Sequence, residues 1–94
     1  MWIILEERKV EKQLERVPRE ILAKYESWKD IVINQGPIGL FQVKGFRDHA
    51  LSGEWKGARS SYLNKQWRVI YAVKANEITI LVFEVTPHDY RKRT

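Results

Sequence analysis

The apolar residues of this chain change their period once, and that switch constrains the fold more than any other feature of the sequence. Ile21, Leu22, Tyr25, Trp28, Ile31 and Val32 recur at helical spacing, which places them on one stripe of an amphipathic α-helix. From Ala58 onward the stripe gives way to three β-prone runs, at residues 58–63, 67–73 and 77–85. Helical segments gathered ahead of strands, rather than alternating with them, describe an α+β domain. Local signals bound the helices. Residues 1–5 are short, apolar and β-prone, and Val10, Leu14 and Val17 then follow at i, i+4 and i+7. Pro18 limits that first helix, because proline disfavours helical geometry in the residue before it, and it suits the first turn of a second helix. The second helix stops before Asn34-Gln35-Gly36-Pro37. Asn64-Lys65 and Ala75-Asn76 supply turns between the β-prone runs, so consecutive antiparallel hairpins are expected. The predicted architecture is an N-terminal strand and a two-helix hairpin packed on a small antiparallel β-sheet. Tyr25 and Trp28, aromatics at helical spacing among aliphatics, read as core packing rather than as a platform for stacking bases. Residues 36–57 carry no period and hold Gly36, Pro37, Gly39, Gly45 and Gly53, so a long loop is expected there, with a helical turn near residues 43–49.

A chain of 94 residues with 44% hydrophobic and 31% charged side chains has the length of one domain and the composition of a folded one. It contains no cysteine, which excludes a disulfide framework, a thiolate nucleophile and a zinc site with sulfur ligands, and points to a reducing cytoplasm. No apolar run approaches the ~20 residues of a membrane helix, so no membrane partner is expected. Walker, dinucleotide-binding, His-Glu-x-x-His and Ca²⁺-loop motifs are missing, and two histidines with scattered carboxylates give no metal-ligand spacing. No metal or small-molecule cofactor is predicted. Seventeen Lys and Arg against twelve Asp and Glu leave a net charge of +5, which favours a polyanionic partner. Residues 1–50 hold nine basic and eight acidic side chains, and residues 51–94 hold eight and four. The excess therefore lies in the C-terminal half.

That half carries a cluster of cations and ionisable groups: Lys56, Arg59, Lys65, Arg68, His88, Tyr90, Arg91, Lys92 and Arg93. Strand alternation sends Arg68 to the face opposite Trp67, and Arg59, Arg68 and the tail after Val85 are expected on one concave surface. Such a surface binds a phosphate backbone, and an arginine on it can stabilise charge on a pentacoordinate phosphate. Arg68 lies in an otherwise apolar strand and calls for an anionic partner; Glu84 in the neighbouring run is the structural alternative. Lys44, Arg47 and Lys74 read as solubilising charges. His88 and Tyr90 supply a group that titrates near neutrality and a phenol that can donate a proton. On spacing alone His88 reads as a solvated tail residue and His49 as a loop residue.

The stretch His49-Ala-Leu-Ser-Gly-Glu-Trp-Lys-Gly-Ala-Arg59, then Leu63-Asn-Lys-Gln-Trp-Arg-Val-Ile-Tyr71 and Val85-Thr-Pro-His-Asp-Tyr90, resembles the RelE/HigB/YafQ/YoeB superfamily of bacterial type II toxins. Motifs carry the resemblance over residues 40–94 and element order carries it over the rest. It implies a RelE-like fold and an mRNA interferase that cleaves the codon in the ribosomal 30S A site, without metal, and is neutralised by a cognate antitoxin. By position, Arg68 matches the arginine that such toxins use at the scissile phosphate. His88 and Tyr90 fall where they place terminal acid/base residues, and His49 matches the loop histidine of the YafQ and HigB branches. Lys56, Arg59 and Lys65 match basic positions that bind RNA or stabilise charge, and Arg91, Lys92 and Arg93 extend the basic surface. Tyr62 stands where the YafQ branch has a second histidine and Gln66 where it has an aspartate, which leaves the general base open between His49 and His88. Two other outcomes remain within the superfamily: a ParE-like toxin that binds DNA gyrase, and a catalytically silent homologue.

Overall fold

In a computed structural model, which describes residues 1–87, the change of period becomes a layer of helices on one side of a five-stranded sheet. The chain runs β1 (Ile3–Glu6), α1 (Arg8–Leu14), α2 (Arg19–Gln35), α3 (Pro37–Phe41), β2 (His49–Ala50), β3 (Arg59–Tyr62), β4 (Arg68–Lys74) and β5 (Thr79–Thr86). Short 3₁₀ turns lie at Lys44–Phe46, Gly53–Trp55 and Ala75–Glu77. The stripe on α2 is the core stripe: Ile21, Tyr25, Trp28 and Val32 are each no more than 1% exposed. Trp28 stacks on Tyr25 at 5.8 Å between ring centroids and meets Tyr71 edge-on at 5.3 Å. Both aromatics are core residues, as their spacing implied.

The helix ends where the backbone at Gly36 turns to φ 75°, a conformation that a residue without Cβ adopts freely. The position is doubly restricted, since a Cβ built there would lie 2.6 Å from the Trp2 indole nitrogen. Pro37 then opens α3 at its first turn, where a missing N–H costs nothing. Residues 36–57 are therefore not one loop. They hold α3, two 3₁₀ turns and β2, elements too short for a hydrophobic period to show.

Strand order is β1-β5-β4-β3-β2. β2–β3, β3–β4 and β4–β5 are antiparallel, but β1 pairs with β5 in parallel, so the sheet is mixed and not antiparallel as expected. The reason is the route of the chain. After α2 it crosses to the far edge, then returns by successive hairpins until β5 lies beside β1, running the same way. Neither the helical stripe nor the turns between hairpins carries information about that last pairing. Partners Tyr71↔Val82 and Ile70↔Glu84 leave Phe83 as an extra residue, a bulge that resets the alternation of β5. Ile80, Val82 and Val85 thus all join the core against α2, with Val69 and Tyr71 of β4. Where β1 stops, α1 takes over the edge of β5: the Val85 N–H donates to Gln13 Oε1 at 2.8 Å, and Lys9 Nζ lies 3.1 Å from Glu84. That leaves the second half of β5 covered rather than open for pairing.

Candidate active site

Paired residues on neighbouring strands share a face, so the register assigns side chains to sides of the sheet. Val69 and Tyr71 point into the helical layer, and Arg68 and Ile70 therefore point outward. Pairing carries this outer face across the sheet in two rows: His49, Ser60, Ile70 and Glu84 in one, and Tyr62, Arg68 and Thr86 in the next. His49 from β2, Tyr62 from β3 and Arg68 from β4 meet where the rows adjoin. The His49 and Tyr62 rings are 6.2 Å apart. The Arg68 guanidinium lies 4.2 Å from the Tyr62 ring centroid, and its Nη1 donates to the Gln66 carbonyl at 3.0 Å. Arg47 approaches the same ring at 5.9 Å. A cation over an aromatic face is held by the ring quadrupole, so Tyr62, with the Gln66 carbonyl, helps to hold the Arg68 guanidinium in place.

His49 is exposed, and its Nδ1 lies 2.8 Å from the carbonyl oxygen of Arg47. Arg47 itself adopts φ 45°, ψ 42°, the left-handed conformation, at the end of the 3₁₀ turn Lys44–Phe46. The next residue, Asp48, turns the other way. Its side chain is 0% exposed, and its carboxylate accepts hydrogen bonds from Arg59 Nε at 2.7 Å, from Tyr71 Oη at 2.5 Å and from Ser61 Oγ. Burial, and then the adjacent Asp48 carboxylate, push the Tyr71 phenol pKa above its ordinary value. Burial opposes the Arg59 charge, but the hydrogen bond and charge of Asp48 outweigh it and raise the guanidinium pKa. An imidazole and two guanidinium groups gathered around one tyrosine ring can take a proton next to a bound anion.

No protein-family model matches the sequence. No curated protein matches it either. Solved structures do. YafQ from Escherichia coli strain BL21(DE3) superposes with a TM-score of 0.75 at 18% identity, covering 92% of this chain and 92% of that one. The RelE of the archaeal RelE–RelB complex from Pyrococcus horikoshii gives 0.73 at 21% identity, covering 99% and 98%. The heterotetrameric YoeB–YefM toxin–antitoxin complex from Staphylococcus aureus gives 0.72 at 13% identity, covering 95% and 99%. This chain has the RelE-like toxin fold.

On this RelE-like sheet the predicted site residues separate. His49 and Arg68 share the outer face, and Lys56 stands on the rim of an outer-face cleft with Trp55, Ala72 and Phe83. Lys65 is exposed at the tip of the β3–β4 turn. Arg59 does not face that surface. It pairs in register with Tyr71, one position out of phase with Arg68, and lies under the sheet with its guanidinium bound to Asp48 and stacked 4.5 Å from the Phe41 ring. The expectation that Arg59 and Arg68 line one concave surface is corrected accordingly: a count of strand residues without the register cannot give the face. Glu84 shares the outer face with Arg68, in the adjoining row, and also pairs with Lys9 at 3.1 Å. His88, Tyr90, Arg91, Lys92 and Arg93 lie outside the described residues. Among the described residues no three His, Asp or Glu side chains converge as metal ligands, and no helix is long and apolar enough to cross a membrane. Sequence reasoning passed over Asp48 and took Arg47 for a solubilising charge. The only available signal was the adjacency of Asp48 and His49, which has no meaning until the chain around them is known to be extended.

Proposed function

We propose that this protein is the toxin of a type II toxin–antitoxin pair, a single RelE-like domain that works in the cytoplasm as a ribosome-dependent mRNA endoribonuclease. The convergence of His49, Tyr62 and Arg68 from three strands onto one face carries this reading, and the RelE-like fold supports it. His49 takes the proton of a ribose 2′-hydroxyl, whose oxygen attacks the adjacent phosphorus. Arg68 stabilises the charge that accumulates on the phosphate oxygens. The 5′-oxygen leaves with a proton, a role for which His88 and Tyr90 in the tail are the candidates, and a 2′,3′-cyclic phosphate remains. Because the attacking group is the 2′-hydroxyl, RNA is cleaved and DNA is inert. Lys56, Lys65, Arg91, Lys92 and Arg93 hold the RNA and the ribosomal A site by phosphate contacts. A net charge of +5 suits an acidic antitoxin partner.

The test is induced expression in bacteria with mapping of mRNA 5′ ends, wild type beside the double variant Arg68→Ala with His49→Ala. New ends at in-frame positions of translated messages, lost in the double variant, are expected. Growth arrest with intact messages and altered DNA supercoiling would move the target to gyrase, and unimpaired growth would leave a silent homologue.

A further inference from the structure

Asp48 and His49 are consecutive residues that serve opposite sides of the sheet. In an extended chain successive side chains alternate. His49 pairs with Ser60 on the outer face, so Asp48 points inward, where Arg59, Ser61 and Tyr71 present three donors to its carboxylate. This clasp pins the chain immediately after Arg47, and the pairing of β2 with β3 pins it again at His49. Between the 3₁₀ turn and the clasp, one residue must reverse the chain. Arg47 does so in the left-handed conformation, which a residue with a Cβ occupies only when its surroundings demand it. The reversal aims the Arg47 carbonyl at His49 Nδ1. A carbonyl oxygen only accepts, so neutral His49 must carry its proton on Nδ1 and its lone pair on Nε2.

We propose that Asp48 is the positioning residue of the site: its buried clasp holds Arg47 in the left-handed conformation and thereby fixes His49 in the tautomer whose Nε2 can accept a proton from RNA. This rests on the ribonuclease reading for the identity of the proton donor, but the tautomer itself does not depend on activity. Arg59 belongs to the clasp and acts through Asp48, not on RNA. Asp48 touches no substrate, and its contribution is geometric, of the kind for which a small displacement of a reacting group costs about 10²-fold in rate.

Long-range ¹H–¹⁵N correlation spectroscopy of the imidazole nitrogens, recorded on the full chain above the histidine titration, reads the tautomer directly, with a His88→Gln variant used to assign the two histidines. The expected result is an Nδ1-protonated His49 in the wild type, a shift toward the Nε2-protonated form in Asp48→Asn with cleavage lowered about 10²-fold, and recovery of the Nδ1-protonated form in Asp48→Asn with Arg47→Gly, since glycine adopts the left-handed conformation without the clasp. A wild-type His49 protonated on Nε2, or a tautomer unmoved by Asp48→Asn, overturns the proposal. If Asp48→Asn does not fold, Ser61→Ala with Tyr71→Phe removes two of the three donors while keeping the ion pair, and the same shift is required of it. An Nδ1-protonated His49 that responds to these changes, in a protein that cleaves no RNA, supports the clasp and overturns only the ribonuclease reading.

Discussion

The proposed ribonuclease reading gives two residues at the site separate duties, and a single substitution tests each. On that reading His49→Ala removes the proton acceptor, and Arg68→Ala the charge that faces the phosphate. Each is expected to lower cleavage of ribosome-bound message by about 10²–10⁴-fold, measured as the rate of appearance of new 5′ ends. Tyr62 holds Arg68 through its ring face, so the aromatic ring matters and the hydroxyl does not. Tyr62→Phe should leave cleavage within a few-fold of wild type, while Tyr62→Leu should lower it by about the 0.5–1 kcal/mol of an exposed cation–π contact. Equal losses in the two variants would show instead that the hydroxyl acts in the chemistry. Buried phenols set a second expectation at this scale. Tyr25 donates to Glu6 at 2.5 Å and Tyr71 to Asp48, and burial, followed by those carboxylates, raises the pKa of both phenols. A pKa raised in the folded state contributes stability that is present below the unfolded value of about 10 and lost as the pH climbs above it. Thermal unfolding from pH 8 to pH 11 should therefore show a loss of stability that Tyr25→Phe reduces.

Among the elements, the turn between β4 and β5 places a β-branched residue where glycine or asparagine is usual. Ile78 has φ 51°, ψ 47° and is 48% exposed. Its side chain contributes little burial, while the left-handed conformation costs a non-glycine residue about 1–2 kcal/mol. Ile78→Asn should raise stability by about 1 kcal/mol in denaturant unfolding, and an unchanged or lower midpoint would mean that the isoleucine makes a contact worth more than the strain. The two helices and the last three strands were legible because each is long enough to repeat its period, although α2 runs through Gln35, two residues past the stop expected before Asn34, and ends only where Gly36 turns the backbone. α3, at five residues, and β2, at two, were not legible, because neither completes enough of a turn or alternation to be told from loop. The site depends on the shorter of these, since β2 is what delivers His49.

Across the molecule, stability is concentrated in the contact of α2 with the two central strands. Trp28 touches both Tyr25 and Tyr71 and is fully buried, so Trp28→Ala should cost about 3–5 kcal/mol, against the roughly 5–15 kcal/mol that holds a domain folded. A circular dichroism melt that hardly moved would place the core elsewhere. By itself, the sequence determined the α+β class, the helical hairpin, the core stripe and the placement of Arg68 on the face of its strand opposite Trp67, because these follow from period and from chemistry local to a segment. It also supplied the motifs that point to a toxin. Tertiary structure alone decided that β1 runs parallel to β5, that Arg59 lies beneath the sheet while Arg68 lies above it, and that Asp48 is the anchor beside His49. Each of these depends on the register between strands distant in sequence, where a shift of one residue exchanges the two faces, and register is a property of the pairing and not of either strand.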